Sequence, residues 1–124
     1  MRALLIISVF FLAAPGFGQH IKKKCFGEYE GLIPGYSLDI GTDVIPVSPA
    51  SIRVSLRDNS ITQEIGNVSK TGTWTIIAEE KTCYVLNVQL EGQLATERIT
   101  VYKKGKKLRR EGVFPQPAAD LRKK

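Results

Sequence analysis

Residues 83–90 read Cys-Tyr-Val-Leu-Asn-Val-Gln-Leu, with Tyr84, Leu86, Val88 and Leu90 on one side and Val85, Asn87 and Gln89 on the other. A period of two gathers the large apolar groups on one face of a strand but scatters them around a helix. The same alternation recurs along the chain. Ile52, Val54 and Leu56 alternate with Ser51, Arg53 and Ser55; Trp74 and Ile76 alternate with Thr73 and Thr75; Ile99 and Val101 alternate with Arg98, Thr100 and Tyr102. Asp58-Asn59, Gly66-Asn67, Glu79-Glu80-Lys81, Glu91-Gly92 and Lys104-Gly105 punctuate these runs with turn chemistry. With a first strand around Tyr29 and Ile33 and a last one through Leu108 towards Phe114, seven to eight strands follow one another as an antiparallel meander. Residues 34–50 are less regular and have room for one short edge strand. No helix is available to cover the apolar face, so the sheet must close as a small barrel or fold as a flattened sandwich. The fold class is all-β.

The first residues have a different character. Met1-Arg2 leads into an apolar run from Ala3 to Ala14, broken by Pro15, and Gly16 and Gly18 place small residues before Gln19. This is the pattern of a secretory signal peptide cut after Gly18. The apolar run is shorter than the ~20 residues a membrane helix needs, and no later segment is a candidate span. The expected organisation is a signal peptide at 1–18, a basic leader at 19–25, one all-β domain at 26–114 and a flexible basic tail at 115–124. A secreted or periplasmic location follows. In an oxidising compartment the two cysteines are expected to form one disulfide, Cys25–Cys83. Asn67-Val68-Ser69 is a glycosylation sequon, relevant only if the exporting cell is eukaryotic; the leader does not separate that case from a bacterial one.

A short exported meander with Gly72-Thr73-Trp74 at a strand start, and Gly27-Glu28-Tyr29 at the first strand, resembles small bacterial lipocalin-like proteins. Those proteins carry a Gly-x-Trp motif on the first strand, whereas here the Trp copy lies mid-chain and the first-strand copy has Tyr. The resemblance spans roughly residues 27–114. It implies a barrel that binds a small apolar ligand and performs no catalysis, with Trp74, Tyr84 and Tyr29 as the inward aromatics nearest such a ligand.

Catalytic constellations are missing from the sequence. The single histidine, His20, lies ahead of the domain, so a Ser/His/Asp arrangement has no base. No Cys/His zinc spacing occurs, and Asp39 and Asp43 flank a Gly in a loop too short for a calcium loop, better suited to local turn hydrogen bonds. No enzyme activity, cofactor or metal is expected.

The net charge of +6 is unevenly spread. Residues 103–124 carry nine basic and two acidic groups, Lys22, Lys23 and Lys24 add three more, and residues 25–102 hold five basic and ten acidic groups. Within the basic end, Lys104, Lys107, Arg109 and Arg110 straddle a hairpin. Such a run either forms a charged outer strand that discourages sheet-to-sheet pairing or contacts an anionic surface. Only Tyr102 is interleaved with it, and export separates it from cellular nucleic acid, so no nucleic-acid role is expected. Two functional readings follow: an exported barrel binding a small apolar ligand, or an interaction module (an inhibitor or adaptor) that touches an anionic envelope component through residues 103–110.

Overall fold

The computed structural model describes residues 20–112 and 116–124; the expected signal segment and Phe114 lie outside them. Among the described residues ten strands run in chain order: β1 Gly27–Ile33, β2 Tyr36–Asp39, β3 Val44–Val47, β4 Ala50–Leu56, β5 Ile61–Ile65, β6 Val68–Glu79, β7 Cys83–Leu90, β8 Glu97–Tyr102, β9 Lys107–Arg110 and β10 Ala119–Lys123. Eight of them form a closed antiparallel barrel in the order β1-β10-β9-β8-β7-β6-β5-β4, with β4 returning to β1. Of the two expected architectures, the barrel is realised. Strands β2 and β3 pair only with each other, as a hairpin between β1 and β4. Its turn is held locally: Gly41 N donates to Asp39 Oδ1 and Val44 N to Asp43 Oδ1, both at 2.8 Å.

Closure rests on the segment expected to be a flexible tail. Residues 119–123 form β10, which pairs Leu121 with Gly31 of β1 on one side and with Leu108 of β9 on the other. The reason is alternation at short range: Ala119 and Leu121 are buried while Asp120 and Arg122 face solvent. Two unpaired strand edges supply what Ala, Asp and Lys lack in intrinsic strand preference. The all-β domain therefore extends past residue 114 to Lys123.

Large side chains fill the barrel. Tyr29, Leu56, Ile61, Leu86, Leu90, Ile99, Leu108 and Leu121 are all fully buried within one core cluster, as suits an eight-stranded barrel whose interior is just wide enough for side chains. At one end, here called the base, a short 3₁₀ helix, Lys23–Cys25, folds under the barrel. Ile21 and Cys25 join the core, and Phe26 packs against it. Tyr29 Oη donates to the Cys25 carbonyl at 2.7 Å, tying helix to barrel. Burial, and then the neighbouring Cys25, push the Tyr29 phenol up to about 12, so this donor keeps its proton.

The expected Cys25–Cys83 disulfide is not formed; both cysteines are free and buried. Their thiols lie on opposite sides of the sheet wall. Cys25 belongs to the core, with Sγ 3.6 Å from the Tyr102 carbonyl. Cys83 is opposite Tyr102 in the β7–β8 ladder but precedes the inward Tyr84, so its side chain points out towards Glu80 Oε1 at 3.5 Å. Burial raises both thiols above their ordinary value. For Cys25 it outweighs the pull of surrounding lysines, and for Cys83 it acts together with Glu80. A disulfide closing so long a loop contributes about 4 kcal/mol. Adding dithiothreitol is therefore expected to leave the thermal midpoint unchanged, and thiol titration of the denatured protein to count both cysteines. A reductant-induced fall of several degrees would contradict the free-thiol structure.

Candidate functional site

The sequence-expected ligand residues lie in the packed lower half of the barrel. Trp74, Tyr84 and Tyr29 are buried. Trp74 Nε1 donates to the Arg57 carbonyl at 2.9 Å, and Lys103 Nζ covers the Tyr84 ring at 5.0 Å from its centroid. None of the three lines either cleft described next.

The basic hairpin is divided by the alternation of β9. Lys107 and Arg109 face outwards, whereas Leu108 and Arg110 face in. Arg109 is occupied on the outer wall, with Nη1 3.2 Å from Asp120 Oδ1 and Nε 3.6 Å from Glu111 Oε2. Arg110, expected to contact an anionic surface, is instead an interior residue at 2% exposure, so that assignment is corrected. Lys104 and Lys107 do lie at the surface, and the fold adds partners that the sequence did not place beside them. The base carries a cleft of about 580 Å³ lined by Lys22, Lys24, Lys81, Thr82, Tyr102, Lys103, Lys104, Lys106 and Lys107. Three chain segments thus deliver seven lysines to one concavity: the leader, the β6–β7 turn and the β8–β9 turn.

Gly105 is what lets the leader sit on the hairpin. A Cβ there would come within 2.4 Å of the Lys24 carbonyl, and its φ of +76° is a conformation other residues resist. Lys123 Nζ also donates to the Lys24 carbonyl. Among the seven cleft lysines, Lys103 alone has an acidic partner among the described residues, Glu79 Oε2 at 2.8 Å. That carboxylate raises the Lys103 ammonium above its ordinary value. Lys107 Nζ lies over the Tyr102 ring at 5.5 Å. On the outer wall Arg53 is balanced, 3.1 Å from Glu30 and 3.3 Å from Glu64. The base is therefore where lysines without an acidic partner are gathered most densely among the described residues.

The opposite end, the mouth, holds a buried polar group that joins Arg110 to Glu97 and Gln63, two residues that the sequence alone did not single out. Glu97 opens β8, Arg110 ends β9 and Gln63 comes from β5 across the barrel; they are 3%, 2% and 4% exposed. Arg110 Nε donates to Glu97 Oε1 at 2.8 Å. Glu97 Oε2 accepts from Gln93 Nε2 at 2.8 Å and Gln63 Nε2 at 3.4 Å. Arg110 Nη1 donates to Gln116 Oε1 at 2.6 Å. Burial alone would raise the Glu97 carboxyl, but the hydrogen bonds from Arg110, Gln93 and Gln63 and the arginine's charge outweigh it and hold the group below the ordinary carboxylate range. One atom is left over. Gln63 Oε1 is buried and has no hydrogen-bond partner among the described residues, a state that costs about 1–3 kcal/mol. The signal for this cluster was present in the sequence. Extending the alternation of Ile99 and Val101 back one step turns Glu97 inwards, and carrying Leu108 forward does the same for Arg110.

Among the described residues no helix is long and apolar enough to cross a membrane, and no group of three or more potential metal-binding side chains comes together. The closed antiparallel barrel is compatible in architecture with a lipocalin-like binding protein. Compared with known proteins, the chain matches no family model, no curated protein and no solved structure.

Proposed function

We propose that this chain is an exported, non-enzymatic, lipocalin-like barrel of the cell envelope that docks through its base onto a phosphate-bearing anionic surface. The observation that carries this reading is the gathering of seven lysines from three segments around one cleft, six of them without an acidic partner among the described residues. Lysine ammonium groups on flexible stems act as point charges towards phosphate. Their methylene stems and Tyr102 also give the cleft an apolar lining that suits the zone between headgroup and acyl chain. The leader at 1–18 supports export. A small apolar ligand inside the barrel, which the lipocalin resemblance implies, has less to rest on, because the interior is filled by the protein's own side chains.

Each lysine close to an anionic bilayer contributes about 1 kcal/mol. Replacing Lys22, Lys104, Lys106 and Lys107 together with Gln is therefore expected to weaken binding to phosphatidylglycerol-containing vesicles by about 10²–10³-fold, with circular dichroism and thermal midpoint little changed. Binding of the unaltered protein should fall steeply between low and physiological salt. Neutral phosphatidylcholine vesicles should bind neither protein. Soluble polyphosphate should compete if the surface reads phosphate alone, and fail to compete if the lipid is needed. Equal vesicle binding by both proteins would overturn the proposal.

A further inference from the structure

We propose that the mouth of the barrel is a second site, independent of the base, that binds a small carboxylate carrying a hydrogen-bond donor beside its acid group, the chemistry of a 2-hydroxy acid. The mouth contains a cleft of about 380 Å³, walled by Tyr36, Ile65 and Val68 and floored by the buried polar residues. Two groups there remain available to a ligand. The first is Gln63 Oε1, buried and without a partner among the described residues. Its orientation is fixed, because the same amide must turn its NH₂ towards the Glu97 carboxylate; flipping it would set oxygen against oxygen. A buried carbonyl oxygen in this position accepts a hydrogen bond and so selects a donor. The second is Arg110, whose hydrogen bonds run from Nε and Nη1 and leave Nη2 without a partner among the described residues.

Charge favours an anion. Glu97 offsets Arg110 at 2.8 Å, and Lys70 on the cleft wall has, among the described residues, only the neutral Gln93 Oε1 as partner, at 3.4 Å. The cleft thus carries a surplus of one positive charge. A carboxylate accepting from Arg110 Nη2 and Lys70 Nζ, with an adjacent hydroxyl donating to Gln63 Oε1, engages all three. The apolar wall accommodates the remainder of a small molecule. No bond is made or broken.

Lactate and propionate, which differ by the hydroxyl alone, test this directly. In ¹H–¹⁵N spectra of the protein at constant ionic strength, lactate is expected to shift the Gln63 and Gln93 side-chain amides and the Arg110 Nε–H saturably. Propionate should need about ten times the concentration for the same effect. Lys70→Gln should weaken both titrations several-fold. Gln63→Met keeps the side-chain volume and should abolish the preference for lactate while leaving the fold intact. The quadruple lysine-to-glutamine protein should titrate like the unaltered one, so this result stands or falls apart from docking at the base. Equal titration by lactate and propionate, shifts that chloride reproduces, or an undiminished lactate preference in Gln63→Met would each overturn the proposal.

Discussion

Arg110→Ala is expected to destabilise the protein by about 3–5 kcal/mol, because it strands the buried Glu97 carboxylate without its counter-ion. For a domain of this size that corresponds to a fall in thermal midpoint of roughly 10–30 °C. The loss is one of compensation, so removing both charges should hurt far less than removing one. Glu97→Leu combined with Arg110→Met is expected to recover most of the stability, as buried ion pairs do when replaced by apolar groups of similar volume. Urea denaturation at neutral pH measures both variants. Acid supplies a further check. The folded Glu97 carboxyl is held below its ordinary value, so its contribution is present above the ordinary carboxylate range and is lost as pH falls through the lower folded value. Stability should accordingly drop more steeply below about pH 4 in the unaltered protein than in the double variant. If Arg110→Ala proves nearly neutral, the pair is not buried as described.

Gly72→Ala should cost about 3 kcal/mol, at the upper end of what overpacking does. A Cβ at Gly72 would lie 1.9 Å from the Gln89 carbonyl oxygen, and 2.8 Å from Leu90 Cα. Both are backbone atoms of β7, so no side chain can swing aside to relieve the clash. Strand β6 would have to lift from β7 where Gly72 faces Leu90, two residues before the buried Trp74. Gly66 supplies the control. It has φ +58° with open space around the missing Cβ, and Asn tolerates that conformation, so Gly66→Asn should change stability by less than about 0.5 kcal/mol. Chemical denaturation of the two variants side by side decides the matter. The glycine of Gly72-Thr73-Trp74 is thus explained by the close approach of two strands, whatever the ancestry of the motif.

Much of the fold was legible because strand alternation is a local property. The inward set from Tyr29 through Ile52, Val54, Leu56, Ile61, Trp74, Tyr84, Leu86, Val88, Leu90, Ile99, Val101 and Leu108 is the buried core. The turns at Asp58-Asn59, Gly66-Asn67 and Lys104-Gly105 separate strands as their chemistry requires. Where the reading stopped short, a partner distant in sequence decided the outcome. Ala119–Lys123 is too short and too poor in β-branched residues to announce a strand, and it becomes one only between the free edges of β1 and β9. The disulfide expectation failed for a related reason. Alternation along 83–90 already puts Cys83 on the outer face with Val85, but nothing in the leader says that Cys25 turns into the core.

The sequence by itself determined that this chain is a meander of strands with one apolar face, and which residues make up nearly all of that face. The period of two is written residue by residue and needs no knowledge of the partner strands. Only the tertiary structure decided that the sheet closes through its last strand, that seven lysines meet at one end, and that Glu97, Arg110 and Gln63 meet at the other. Those neighbours are set by the order and register in which the strands pair around the barrel. Side chains from β5, β8 and β9 become a site only once that circle is complete.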